Sequence, residues 1–117
     1  MKKTFLLIIT IIITSCTSNT VLKKPKDLIP KDTMTLLLTD LFIAKSAFIE
    51  KNTLNQRKVN YIPLVYHKYK IDSTRFANSN FYYTSKLEEY ELIYRAVNKN
   101  LRAKKKALEE NLKNSPE

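Results

Sequence analysis

The 117 residues contain no glycine and no tryptophan, one cysteine and one histidine. Each shortage excludes a class of chemistry. Phosphate-cradling loops and dinucleotide fingerprints need glycine where the backbone must come close to a ligand, so neither is present. Type I′ hairpins lose the Asn-Gly and Asp-Gly pairs that favour them. A single cysteine permits no internal disulfide, and a single histidine permits no multi-histidine metal site. What remains is 44% hydrophobic and 27% charged, too apolar for a disordered chain and of a length suited to one small domain. Basic residues outnumber acidic ones by 21 to 11, giving a net charge of +10. Such a balance points to an anionic partner.

The N-terminus has the layout of an export signal. Lys2 and Lys3 form a positive start, and Phe5 to Ile13 is almost entirely apolar. From Thr4 to Thr14 a helix would cover about 16 Å, roughly half of a ~30 Å hydrocarbon core, so the run is too short to span a membrane. It ends in Ile13-Thr14-Ser15-Cys16, which resembles the bacterial lipobox. The resemblance implies a diacylglycerol thioether on Cys16 Sγ, cleavage between Ser15 and Cys16, and acylation of the new amine. Two or three acyl chains, at about 0.8 kcal/mol per buried methylene, make a stable anchor. Thr17 stands where a common sorting rule places Asp in proteins kept at the inner membrane. The expected location is therefore the outer membrane, lipid-anchored on its periplasmic face. Export also puts DNA out of reach, so nucleic acid is not an expected partner.

Residues 1–15 thus form the signal and 16–31 a lipidated, flexible tether with Pro25 and Pro30. Removing the signal takes away Lys2 and Lys3 and no acid, lowering the net charge from +10 to +8. Lys23, Lys24, Lys26 and Lys31 could meet lipid phosphates, or could simply keep a linker solvated.

The domain expected over 32–101 is all-α, a small bundle of about four helices. Asp32 is the expected N-cap of a helix over 33–50. Met34, Leu37, Leu38, Leu41, Ala44 and Phe48 line its inner face, widened by Leu36, Phe42, Ile43 and Ile49. A polar connector leads to a second helix over 60–69, with Pro63 in the first turn and Ile62, Val65, Tyr66 and Tyr69 on one face. Asp72 caps a third helix over 73–83, with Ile71 and Phe76 placed as a hydrophobic staple. Ser85-Lys86-Leu87-Glu88 reads as a capping box opening a fourth helix, whose seam is Leu87, Tyr90, Tyr94, Val97 and Leu101. No segment alternates as a strand does.

The seven tyrosines all fall between Tyr61 and Tyr94. They read either as a stacking surface for sugars or bases or as core rings that keep their hydroxyls wet. Tyr66, Tyr69, Tyr83, Tyr90 and Tyr94 fall on predicted inward faces. His67 has no orienting carboxylate and nucleophile beside it in the pattern, and Glu88, Glu89 and Glu91 suit a helix start. No catalytic residue, metal site or cofactor is expected.

Phe76-x-x-Ser79-x-x-Tyr82-Tyr83 and Ile93-Tyr94-x-x-Val97-x-x-x-Leu101, with Met34 and Ala44 matching more loosely, resemble the lipoprotein family called domain of unknown function 4296 over residues 28 to 101. The resemblance implies a lipidated, all-helical envelope protein and supplies no catalytic residues.

The last helix, if it runs from Lys86 to Lys113, is about 42 Å long. A 70-residue domain has a radius of gyration near ~11 Å, so the helix must outrun its core. Over 102–117 it becomes a charged extension. Arg102, Lys104, Lys105 and Lys106 form a basic collar, and Leu108 and Leu112 resume the stripe that Leu101 ends. The extension reads as a solvated helix end or as a docking arm for an envelope protein. The function expected is a membrane-anchored, non-enzymatic accessory lipoprotein acting as a protein–protein interaction module. The alternative is a binding module for anionic glycan or lipid head groups.

Overall fold

A computed structural model describes residues 1–3 and 22–115. Cys16 and most of the apolar run lie outside the described residues. From residue 22 onward the chain folds into four helices: α1 Lys31–Ala47, α2 Ile62–Tyr69, α3 Ser73–Thr84 and α4 Leu87–Asn114. No strand occurs among the described residues. α1 is central, packing against both α2 and α4, and α3 packs against α4.

α1 starts two residues before the expected boundary. Pro30, not Asp32, is its N-cap, and the Pro30 carbonyl accepts the first helical bond from Met34 N–H at 2.8 Å. Asp32 falls inside the first turn, where its charge meets the positive end of the helix dipole without capping any N–H. The buried face is Met34, Leu37, Leu38, Thr39 and Ala44. Four residues expected to widen it do the opposite: Leu36, Phe42, Ile43 and Ile49 are exposed, as is Phe48. Among the described residues α1 packs against α2 and α4, and these side chains are left exposed, Phe42 only partly because the Tyr94 ring lies 6.1 Å from it.

The connector after α1 is built around Asn52, whose Oδ1 accepts from Leu54 N–H and Gln56 N–H at 3.0 and 2.9 Å. α2 begins at Ile62, with Pro63 in its first turn as expected. It ends with Lys70 in the left-handed region, at φ 53° and ψ 42°. Lys70 N–H bonds the His67 carbonyl and Ile71 N–H bonds the Tyr66 carbonyl, both at 3.1 Å. This is a Schellman ending with lysine at the position that favours glycine.

Ile71 closes that motif and opens the next. Asp72 Oδ1 accepts from Arg75 N–H at 2.8 Å, capping α3 as predicted. Buried Ile71 and half-buried Phe76 both join the core, and the Phe76 ring lies 5.9 Å from that of Tyr66. The capping box expected at Ser85 does not form. Ser85 ends α3, its hydroxyl donating to the Tyr82 carbonyl at 2.6 Å, and Lys86 is the N-cap of α4 without a side-chain cap bond. Only a short turn separates the helices, so the preceding helix claims the serine.

α4 is buried at Ile93 and Val97, with Tyr90, Tyr94 and Leu101 packed at the edge of the core. Leu87, expected on the seam, is 76% exposed. All seven tyrosines are in the core cluster or packed against it. Burial raises the Tyr83 hydroxyl, with Glu89 and Tyr82 adding to the effect. Burial with the Tyr90 contact pushes Tyr94 up to about 12. These rings are packing elements.

The packed domain also extends back beyond Asp32, into the segment expected to be tether. Ile29 is 0% exposed. Its N–H donates to Ser79 Oγ at 3.0 Å, and its carbonyl accepts from the Tyr83 hydroxyl at 2.6 Å. Arg75 Nε donates to the Asp27 carbonyl at 2.7 Å. Three residues one helical turn apart on α3 thus hold the backbone that enters α1.

Candidate functional site

Asp40 stands where α1, α2 and α4 meet. Its Oδ2 accepts from Lys68 Nζ at 2.6 Å and from the Tyr69 hydroxyl at 2.8 Å, and its Oδ1 lies 3.5 Å from Lys104 Nζ. Burial pushes the Asp40 carboxyl up. The hydrogen bonds from Lys68 and Tyr69, with the charges of Lys68 and Lys104, outweigh that, and the acid titrates below its ordinary value. Tyr69 is shifted up by burial and by the same carboxylate. Two cations share one anion, leaving a surplus positive charge.

A cleft of about 420 Å³ opens beside this cluster, lined by Ile43, Ala44, Ala47, Tyr61, Leu64 and Val65. A second hollow, lined by Phe42, Ser46, Ile49 and Leu101, shares Ile43 and Ala47 with the first. Both owe their apolar walls to the uncovered side of α1. His67, on the outer side of α2, is exposed and lines neither. Among the described residues no three His, Cys, Asp or Glu side chains are grouped to hold a metal ion.

The predicted arm residues divide into three groups. Leu101 is half-buried at the edge of the core. Lys104 turns inward to Asp40, Lys105 pairs with Glu109, and Lys106 pairs with Glu110. Of the expected collar, Arg102 alone has no ion pair among the described residues. Leu108 and Leu112 are 60% and 68% exposed. At 100° per residue they lie within roughly 20° of Leu101, so one stripe leaves the core and continues along open helix. From residue 102 to 114, about 20 Å of helix, every residue is exposed. Of the tether lysines, Lys31 pairs with Glu89 at 3.2 Å.

Sequence reasoning found the long last helix but missed the Asp40 cluster. Asp40, Lys68 and Lys104 are far apart in the chain, and no spacing rule links them. The grip on Ile29 was half visible: Ser79 and Tyr83 stood out as motif positions, but without their target.

No helix among the described residues is long and apolar enough to cross a membrane. No curated protein and no solved structure matches the chain. Residues 25–107 match the family described as domain of unknown function (DUF4296), a span that takes in the Ile29 grip, all of the core and the first part of the arm, and the chain belongs to that family.

Proposed function

We propose that the chain is a membrane-anchored, non-enzymatic accessory lipoprotein of the Gram-negative cell envelope. It is held through lipid on Cys16 at the periplasmic face of the outer membrane and acts as a protein–protein interaction module. The observation that carries this reading is the leucine stripe of α4, which runs past the core as Leu108 and Leu112, with none of the described residues covering it. An exposed helix of this length gains little from its own short-range pairs, and burying its apolar stripe on a partner supplies the missing stabilisation. Lys105 flanks the stripe and Arg102 has no ion pair among the described residues, so the fitting partner presents an apolar groove with an acidic rim.

Two measurements test it. Intact mass of the native product should give a chain starting at Cys16 and carrying acyl groups. A photocrosslinking residue at position 108 or 112, in cells, should trap one discrete envelope protein that a residue at the equally exposed Leu54 or Leu92 does not. An unmodified Cys16 removes the anchor from the reading, and identical products at all four positions remove the arm.

A further inference from the structure

The cleft between α1 and α2 has a polarity that the arm does not explain. Asp40, Ile43, Ala44 and Ala47 follow one another along α1, and Lys68, Val65, Leu64 and Tyr61 run the opposite way along α2. The charged cluster therefore closes one end, while the other end, about 10 Å away, is apolar but for the Tyr61 hydroxyl. There the second hollow continues over Ala47 to Ile49 and Leu101, with Ser46 and Glu50 also in its lining. We infer that this cleft binds a single-chain fatty-acid-type carboxylate, its head between Lys68 and Lys104 and its alkyl chain along Ala44, Ala47 and Leu64.

Three features select that ligand. The volume, about 420 Å³, lies toward the low end of small-molecule sites and suits one chain. Beyond its charged end the lining offers only the Tyr61 hydroxyl, which already accepts from Asn52 Nδ2 at 3.4 Å, and this is unsuited to a sugar. Lys68 and Lys104 against Asp40 leave one surplus positive charge, which a monoanionic carboxylate balances and a phosphate monoester, carrying about −1.5 to −2, overshoots. Each ammonium directs one contact to Asp40 and keeps donors for the solvent side, where Lys68 and Lys104 are 61% and 56% exposed. Asp40 acts as an internal counter-ion that holds both lysines at the mouth.

The test uses lysed cells expressing the full chain, membranes retained, and a diazirine-bearing hexadecanoic acid beside the matching alcohol. The acid should label residues 40–47 and 61–68 above the alcohol by roughly two- to five-fold, the range an exposed charge pair supports. Unlabelled dodecanoate should compete, whereas butyrate and dodecylamine should not. Lys68→Gln with Lys104→Gln should erase the preference for the acid. Asp40→Asn should raise acid labelling, because both ammonium groups lose their counter-ion. Equal labelling by acid and alcohol, label concentrated on residues 102–114, or competition by dodecylamine as strong as by dodecanoate would each overturn the inference. The competition arm needs only the unaltered chain, so a variant that fails to fold leaves the test decisive. The outcome is independent of the Cys16 anchor, and of the arm it involves only Lys104.

Discussion

Lys70 holds a left-handed conformation at the end of α2, in a chain with no glycine to place there. Asn55 and Lys58 do the same in the connector, at φ 62° and 59°. A side chain bearing Cβ is disfavoured in this region by roughly 1 kcal/mol or more. Lys70→Gly should therefore raise stability, by up to about 1 kcal/mol, since glycine's greater freedom in the unfolded chain offsets part of the relief. A urea unfolding curve reads the change directly. Ser79 carries the opposite expectation. Its hydroxyl is the acceptor for Ile29 N–H in a fully buried setting. Ser79→Ala should cost about 1–3 kcal/mol by leaving that donor unmet, and Tyr83→Phe should do likewise to the Ile29 carbonyl. Asp40 gives a pH signature. Its carboxyl titrates lower folded than unfolded, so between the two values the unfolded chain binds more protons and stability rises with pH. The increment is fully present above the ordinary carboxylate value near ~4 and fades as pH falls through the lower, folded one. The difference in melting temperature between the native chain and Asp40→Asn should shrink over that acid range.

Among the helices, α4 does two jobs on one length. As far as Leu101 it supplies Ile93 and Val97 to the core; beyond that it is solvated and linked to the body by the Lys104–Asp40 pair. Surface ion pairs contribute ~0–1 kcal/mol. A chain ending after Arg102 should thus keep its stability within about 1 kcal/mol while losing the arm, which thermal melting and the position-108 crosslink would show together. The i,i+4 pairs Lys105–Glu109 and Lys106–Glu110 run in the less favourable order, basic residue first. They hold the arm weakly. The length of α4 and its departure from the core were legible because 28 residues at 1.5 Å each exceed any domain this small. The outward side of α1 was not legible. Leu36, Phe42 and Ile43 are apolar whichever way they face, and periodicity cannot reveal which side of a helix with apolar residues around most of its circumference lacks a neighbour.

Taken whole, the molecule is a small core with a disproportionate open apolar surface. Among the described residues ten buried hydrophobic side chains make the centre, from Ile29 to Val97, and a domain of this size without disulfides is marginal. Leu37, 0% exposed on the central helix, is where truncation should be felt most. Leu37→Ala should cost about 2–5 kcal/mol, a large part of the ~5–15 kcal/mol typical of a whole domain. Circular dichroism should find the domain partly unfolded at 37 °C. The sequence alone determined the helical class, the Asp72 cap and the overlong last helix. Each follows from interactions between residues only a few positions apart, or from counting along one helix. Tertiary structure decided that Ser79 and Tyr83 hold Ile29 and that Asp40 meets Lys68 and Lys104. Contacts spanning 28 to 64 positions depend on where helices come to lie against one another, and no local pattern encodes that placement.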